Sequence, residues 1–345
     1  MIDAATSGAV PDGGAAGELV RAYDLVILDL DGVLYLGDVA VAGAPDAVRR
    51  LRDEKVLVAY ATNNASRLGK DVAALLTGLG MPAEEDEVVT SARAAAQVVA
   101  ERLGGDGSVL VVGAPALREE VRAVGLRPVG AASDGPQVVL QGYGPSVGWA
   151  DLAEASVAIR GGASWVATNV DKTLPSPRGP LPGNGSLVAA LATALGRQPD
   201  LVVGKPDPAL FVAASQAREA KRPLCVGDRL DTDIEGANRA GMDSLLVLTG
   251  VSRAADLLAA GPEMRPTFVA EDLSSLWADA STLRLVRPEP LTWTVADGGA
   301  TWVLSGHGRA LDALRALCVT AWAGGSRPVV AAGPAAEEAV RALGL

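Results

Sequence analysis

The chain has 345 residues, 49% of them apolar and 21% charged, which is enough to bury a sizeable core and suggests two or three domains. This composition excludes a disordered or fibrous chain, and a formal net charge of -11 excludes a basic face that collects nucleic acid or anionic lipid. Two distant cysteines, Cys225 and Cys318, exclude a disulfide framework or a zinc site and fit a reducing, cytoplasmic setting.

Residues 1–22 are rich in Ala and Gly, lack an apolar stretch of export-signal length and read as a loose tail. No later window offers the roughly 18 to 20 apolar residues of a membrane span. Short aliphatic runs then alternate with stretches of helical period, the pattern of a parallel α/β protein. Strands are expected at 25–30, 56–61, 109–112, 138–141, 165–167, 201–203, 224–226 and 244–248. The clearest helices are 44–54, 69–79, 91–103, 117–124, 150–160, 186–195 and 208–217. A Gly-rich break at 104–107 opens a section that ends near Pro199 and reads as a domain inserted between elements of one sheet. A second break at 287–290 separates a piece that reads strand, strand, helix, strand, helix. The expected division is a tail at 1–22, a core at 23–105 and 200–284, an inserted domain at 106–199 and an α+β module at 285–345.

Four segments carry candidate chemistry. The buried run Leu25-Val26-Ile27-Leu28 ends in Asp29-Leu30-Asp31-Gly32, which places two carboxylates at the carboxyl edge of a sheet, where open α/β sheets bind ligands. A period of two puts Asp29 and Asp31 on one side, and their repulsion invites a cation. Gly32 permits a path that brings amides to an anion, although such a strand end is also a plain structural turn in other proteins. The second run ends in Thr62-Asn63-Asn64-Ala65-Ser66-Arg67, whose hydroxyl, amide and backbone donors suit phosphate oxygens; the competing reading is a helix cap at Asn64 or Ser66. The third offers Lys205, either solvated surface or a point charge beside an anion. The fourth runs from Cys225 through Gly227-Asp228 to Asp233, where Asp228 would join Asp29 on a magnesium ion with Asp233 behind it, unless the acidic residues merely favour a helix start. Cys225 reads as a buried apolar side chain and the lone His307 as a surface residue.

In this order, Asp-x-Asp, Thr, Lys and Gly-Asp-x-x-x-x-Asp resemble the motifs of the haloacid dehalogenase superfamily. Thr62-Asn63-Asn64, Ala167-Thr168-Asn169-Val170-Asp171, Pro182-Gly183-Asn184-Gly185, Gly204-Lys205-Pro206, Gly227-Asp228-Arg229 and Leu248-Thr249-Gly250-Val251 are similar to the NagD and para-nitrophenylphosphatase branch. The resemblance implies a Rossmann-like parallel-sheet core with a large inserted α/β cap. It also implies a magnesium-dependent phosphatase in which Asp29 is the nucleophile and Asp31 the general acid and base. Magnesium would be held by Asp29, the carbonyl of Asp31 and Asp228, with Gly32, Thr62, Asn63, Asn64 and Lys205 around the phosphate. The cap segment 168–174 would face the leaving group; one pyridoxal-type relative has a His where this chain has Leu174, which argues against pyridoxal phosphate as substrate. Tyr143 reads as packing or pocket lining, and Asp171 and Asn184 as hydrogen bonders within the cap.

The C-terminal piece resembles part of an acetyltransferase-like fold without an evident acetyl-CoA pyrophosphate loop, and a structural, dimerising or regulatory role is expected of it. This arrangement is similar to actinobacterial members of the branch that hydrolyse glycerol 3-phosphate, which makes that ester the expected substrate. Phosphoglycolate, a nucleoside monophosphate and pyridoxal phosphate are the alternatives. A non-catalytic phosphate-ester sensor and an acyltransferase are the readings from other classes. Expected partners are the small phosphomonoester and a second copy joined through the cap or the C-terminal module, with no nucleic acid or membrane.

Overall fold

The structure, a computed structural model, describes residues 17–174, 178–286 and 292–345. Strand β1 (Leu25–Leu28) leads into a hairpin, β2 (Tyr35–Leu36) and β3 (Val39–Ala40), then helix α1 (Ala44–Asp53), strand β4 (Leu57–Thr62), helix α2 (Gly69–Gly78), strand β5 (Val88–Thr90) and helix α3 (Ser91–Leu103). The inserted section follows as β6 (Ser108–Val112), α4 (Pro115–Ala123), β7 (Arg127–Val129), β8 (Val138–Gln141), α5 (Trp149–Arg160), β9 (Ser164–Ala167), the short β10 (Thr173–Leu174) and β11 (Leu181–Pro182), α6 (Asn184–Leu195) and β12 (Leu201–Val202). The chain returns through α7 (Ala209–Ala217), β13 (Pro223–Gly227), α8 (Glu235–Arg239), β14 (Asp243–Val247), α9 (Ala254–Leu258) and β15 (Phe268–Ala270). It closes with β16 (Trp293–Asp297), β17 (Trp302–Gly306), α10 (Ala310–Gly324), β18 (Val329–Ala331) and α11 (Pro334–Leu343).

The core is a six-stranded parallel sheet in the order β15-β14-β13-β1-β4-β5. All four residues of β1 are buried, as expected of a strand covered on both faces. From β1 the chain first builds outward to β4 and later returns to add β13 on the other side. The carboxyl ends of β1, β4 and β13 therefore converge where strand order reverses, the usual place for a ligand in such sheets. Leu28 lies level with Tyr60 and with Val226, so Asp29, Thr62 and Asp228 emerge within two residues of one another in register.

The cap is a second parallel sheet, β12-β9-β8-β6-β7. Its outer face packs on α5 and α6 through Trp165, Ala155, Ile159, Val188 and Leu191. Its inner face shares one apolar cluster with the core helix α3, where Ala92, Ala95, Ala96 and Val99 meet Val109, Val111, Leu140 and Val166. The small side chains of α3 let the cap sit close, so cap and core are packed together rather than linked by chain alone.

The structure corrects two expected boundaries. Residues 17–22 are not a loose tail: Leu19 and Val20 are fully buried, and Leu19 N–H donates to Ala278 O at 2.9 Å, so this turn is sealed against the last core segment by apolar burial. The run at 201–203 is not a core strand: Leu201 and Val202 pair with Val166 and Ala167 at the edge of the cap sheet, which moves the cap boundary past Pro199. Strands β5 and β15, each of three residues, were too short for a periodic signal.

In the C-terminal module β16 and β17 pair antiparallel, and β17 and β18 parallel. Trp293, Trp302, Leu304, Leu311 and Leu317 belong to the same apolar cluster as core residues Phe268, Leu257 and Leu276. The buried Arg315 donates to Arg284 O at 2.8 Å and Ser281 O at 2.7 Å, and Trp322 Nε1 donates to Leu257 O at 3.0 Å. The break expected at 287–290 lies outside the described residues, as does most of the tail expected at 1–22. Among the described residues no helix is long and apolar enough to cross a membrane.

Candidate active site

Asp29 is the first residue beyond β1, its amide held by Val226 O at 2.9 Å. Asp228 follows β13, and a wide π-type turn at Leu230–Ile234 brings Asp233 back so that its Oδ2 accepts from Arg229 N at 3.1 Å. Such turns concentrate at functional sites because they redirect a side chain without ending the helix that follows. A Cβ on Gly227 would lie 2.1 Å from Asp233 Cβ, so glycine is required for this return. Asp29, Asp228 and Asp233 each present a carboxylate oxygen within 4.8 Å of the others, all buried.

Lys205 stands among them. Its Nζ is 2.5 Å from Asp29 Oδ1 and 2.7 Å from Asp233 Oδ1, and it donates to Ala61 O at 3.0 Å. Burial alone would lower the lysine pKa, but Asp233 and Asp29 outweigh it and hold the ammonium charged. One cation does not balance three buried carboxylates. Burial pushes Asp29 well above the ordinary carboxylate range against the pull of Lys205, with Asp233 and Asp228 adding to the rise. Burial, then Asp233, lifts Asp228 to about 7, opposed by the Val251 N–H. Asp228 Oδ1 is buried and has no hydrogen-bond partner, while its Oδ2 takes Val251 N–H at 2.6 Å. An orphaned buried oxygen in an anionic cluster of hard ligands fits a divalent cation. Gly32 and Gly250 make room for the Asp228 carboxylate: a Cβ would fall 2.4 Å and 2.0 Å, respectively, from Asp228 Oδ2.

Asp31 is partly buried, and burial raises its pKa against the opposing charges of Lys205 and Arg67. Asp29 and Asp31 share Lys205 as a stabilising neighbour, in keeping with both facing the same space. Thr62 is buried with its Oγ1 accepting from Asn64 N at 3.1 Å, which leaves its hydroxyl proton available to an anion.

Two other expected donors, Gly32 and Asn63, are engaged elsewhere. The Gly32 amide is not free for an anion, because it donates to Tyr35 O at 2.8 Å; the residue matters for its φ of +90° and its closeness to Asp228. The Asn63 carboxamide is engaged with Lys205 and Asp171 and is closed to phosphate. Asn64 does not cap α2: its Oδ1 accepts from Ser66 N at 2.7 Å in a local turn, and the helix starts later, after Leu68. Leu174 is half-buried in β10, level with Leu181 of the antiparallel β11. Asp231 is turned outward onto Arg229. Buried Cys225 and exposed His307 are as the sequence suggests.

Several contributors carry no chemical signal in sequence. The loop after β14 delivers Val251 N–H to Asp228, Thr249 Oγ1 to Gly32 O at 2.5 Å and Ser252 Oγ to Leu230 N at 3.0 Å. Ser91 Oγ donates to Asn63 O at 2.7 Å. Leu248-Thr249-Gly250-Val251 stood out in the sequence only as part of the family resemblance, without a role; nothing pointed to Ser91 or Ser252.

Profiles of the haloacid dehalogenase-like hydrolase and the HAD-hydrolase-like families match residues 26–127 and 202–276, and one of the GCN5-related N-acetyltransferase-like domain matches 292–345. D-glycerol 3-phosphate phosphatase of Mycobacterium tuberculosis is 49% identical over 290 residues, 84% of this chain and 80% of that protein. The crystal structure of a glycerol phosphate phosphatase from the same organism in complex with magnesium has a TM-score of 0.89 at 44% identity, covering 96% of this chain and 99% of that one. A 4-nitrophenylphosphatase from Thermotoga maritima has a TM-score of 0.69 at 33% identity, covering 75% and 97%. The converging strand ends, the buried aspartates around Lys205 and these likenesses agree: the chain belongs to the haloacid dehalogenase-like hydrolases and is an enzyme of their phosphatase branch.

Proposed function

We propose that this chain is a magnesium-dependent phosphomonoesterase that acts on glycerol 3-phosphate through an aspartyl-phosphate on Asp29. The observation that carries the reading is the buried cluster of Asp29, Asp228 and Asp233 around Lys205, with one Asp228 oxygen lacking a hydrogen-bond partner. The substrate is inferred from the mycobacterial relatives, the solved one matching nearly the whole chain, C-terminal module included.

Asp29 attacks phosphorus in line and divides one hard displacement into two easier ones. Asp31, its carboxyl raised by burial against Lys205 and Arg67, gives a proton to the leaving oxygen and then takes one from the hydrolytic water. Thr62 and the backbone of the loop after β4 hold the phosphate oxygens, with Lys205 supplying fixed positive charge where negative charge develops. Asp29, the Asp31 carbonyl and Asp228 would hold magnesium, with Asp233 steadying Lys205 behind them; bound there, the ion offsets the repulsion between carboxylate and phosphate. Leu174, beyond the cap loop 168–172, is the apolar wall proposed for the leaving-group side. Two buried free thiols suit a cytoplasmic enzyme. The exposed Trp149 and Val157 on α5 suit a homodimer formed through the cap, which sedimentation of a Trp149→Ser variant tests.

Phosphate release with magnesium from glycerol 3-phosphate, phosphoglycolate, a 5'-nucleotide and pyridoxal phosphate tests the main reading. The highest kcat/KM is expected for glycerol 3-phosphate, and Asp29→Asn is expected to abolish release while leaving ester binding measurable. Absence of release from every ester would remove the enzyme reading and leave the sensor.

A further inference from the structure

Asn63 is a core residue gripped from both sides. One Nδ2 hydrogen goes to Lys205 O at 3.0 Å and the other to Asp171 Oδ2 at 3.1 Å, while Oδ1 accepts from Lys205 N at 2.8 Å. Its carboxamide therefore holds the Lys205 residue by both its N–H and its C=O. The Asn63 carbonyl accepts from Ser91 Oγ on α3 and from Asn169 Nδ2 in the cap, both at 2.7 Å. Core and cap meet at Gly204, where a Cβ would lie 2.4 Å from Thr168 O and 2.7 Å from Asn63 Oδ1. The cap side is itself fixed: Asn184 Nδ2 donates to Asn169 O at 2.7 Å, Asp171 N to Asn169 Oδ1 at 3.2 Å and Gly185 N to Asp171 O at 2.8 Å. These bonds seat the loop on the start of α6.

We propose that Asp171 is a positioning residue: by anchoring the Asn63 carboxamide it fixes the Lys205 backbone, so that the ammonium stands against Asp29 only when the cap loop is latched to the core. With the Asp171 oxygen gone, one Asn63 donor hydrogen is left unsatisfied in a half-buried place, and the carboxamide turns away to find a partner. Lys205 then loses the clamp on its backbone, and a small displacement of a fixed charge near the reacting atoms costs rate far more than binding. The latch requires an acceptor oxygen rather than a charge. It also makes the cap loop part of the catalytic geometry, whatever ester the cap admits.

The latch rests on the phosphatase reading, so wild-type turnover of p-nitrophenyl phosphate and glycerol 3-phosphate with magnesium is measured first, and the variants then bear on the latch alone. Asp171→Ala is expected to lower kcat roughly tenfold for both esters with KM changed less than about threefold. Asp171→Asn, which keeps the acceptor, is expected to recover most of that loss. Asn63→Ala combined with Asp171→Ala is expected to be no worse than the poorer single variant. Should Asp171→Ala fail to fold, Asp171→Ser, whose oxygen falls short of Asn63, takes its place against Asp171→Asn. The proposal is overturned if the loss is confined to KM for glycerol 3-phosphate, if Asp171→Asn is as poor as the truncation, or if the two losses multiply.

Discussion

Lys205→Met removes the one cation that ion-pairs with Asp29 among the described residues while keeping an apolar stem of similar length. The lysine is 2% exposed and contacts Asp29, Asp233 and Ala61 O, so what remains is a buried anionic cluster without compensation. Breaking a buried pair of this kind costs roughly 3 to 5 kcal/mol, and the near-isosteric methionine adds little cavity cost. The cost depends on pH. Burial already raises Asp29, and a carboxyl raised in the folded state contributes stability below its unfolded pKa that is lost as pH rises through the folded one. Loss of the lysine lifts Asp29 further, so the deficit of the variant grows from acid toward alkaline pH. Denaturant unfolding of metal-free wild type and variant is expected to differ by about 3 to 5 kcal/mol near pH 8 and by much less near pH 5. Turnover with magnesium is expected to fall roughly 100- to 1,000-fold, as for loss of one fixed donor to developing charge. An equal deficit at both pH values would refute the argument and make Lys205 a packing residue.

Three further outcomes are expected. Gly32→Ala combines a φ of +90° with a Cβ 2.4 Å from Asp228 Oδ2, and should weaken magnesium binding roughly tenfold or more; an unchanged half-saturating magnesium concentration contradicts this. Asp29, Asp31 and Asp228 are all raised by burial, Asp228 to about 7, so metal-free protein should lose stability as pH rises from about 4 through 7. Over that window added magnesium should stabilise progressively more, since it competes with protons for the same oxygens, and a thermal shift with magnesium no larger at pH 8 than at pH 5 contradicts this. Deleting everything after Arg284 should uncover Phe268, Leu257 and Leu276 and lower the unfolding temperature or cause aggregation, because Trp293, Leu311, Leu317 and their neighbours share that apolar cluster. A truncated protein as stable as the full chain would make the module a detachable appendage.

Much of the fold is local and was legible. Buried runs such as 25–28 and the Ala- and Leu-rich helices carry their period in the sequence, and four polar or charged strand ends in order point to one chemistry. The family resemblance proposed roles for Asp29, Asp31, Lys205, Asp228 and Asp233, and of these Asp29, Lys205, Asp228 and Asp233 stand in one buried cluster. Three features depended on distant partners. The run at 201–203 is a strand in any sheet, but only pairing with β9 assigns it to the cap. Residues 17–22 look like tail until Leu19 and Val20 find the last core segment. Asn63 has the chemistry of a phosphate donor, and only the approach of Lys205 and Asp171, from more than a hundred residues away, engages its amide elsewhere. The sequence by itself determined which groups this protein possesses and what reaction they suit, because side-chain chemistry and short-range period are local properties. Tertiary structure alone decided which of their hydrogen bonds remain free for substrate, because a donor's availability depends on what packs against it.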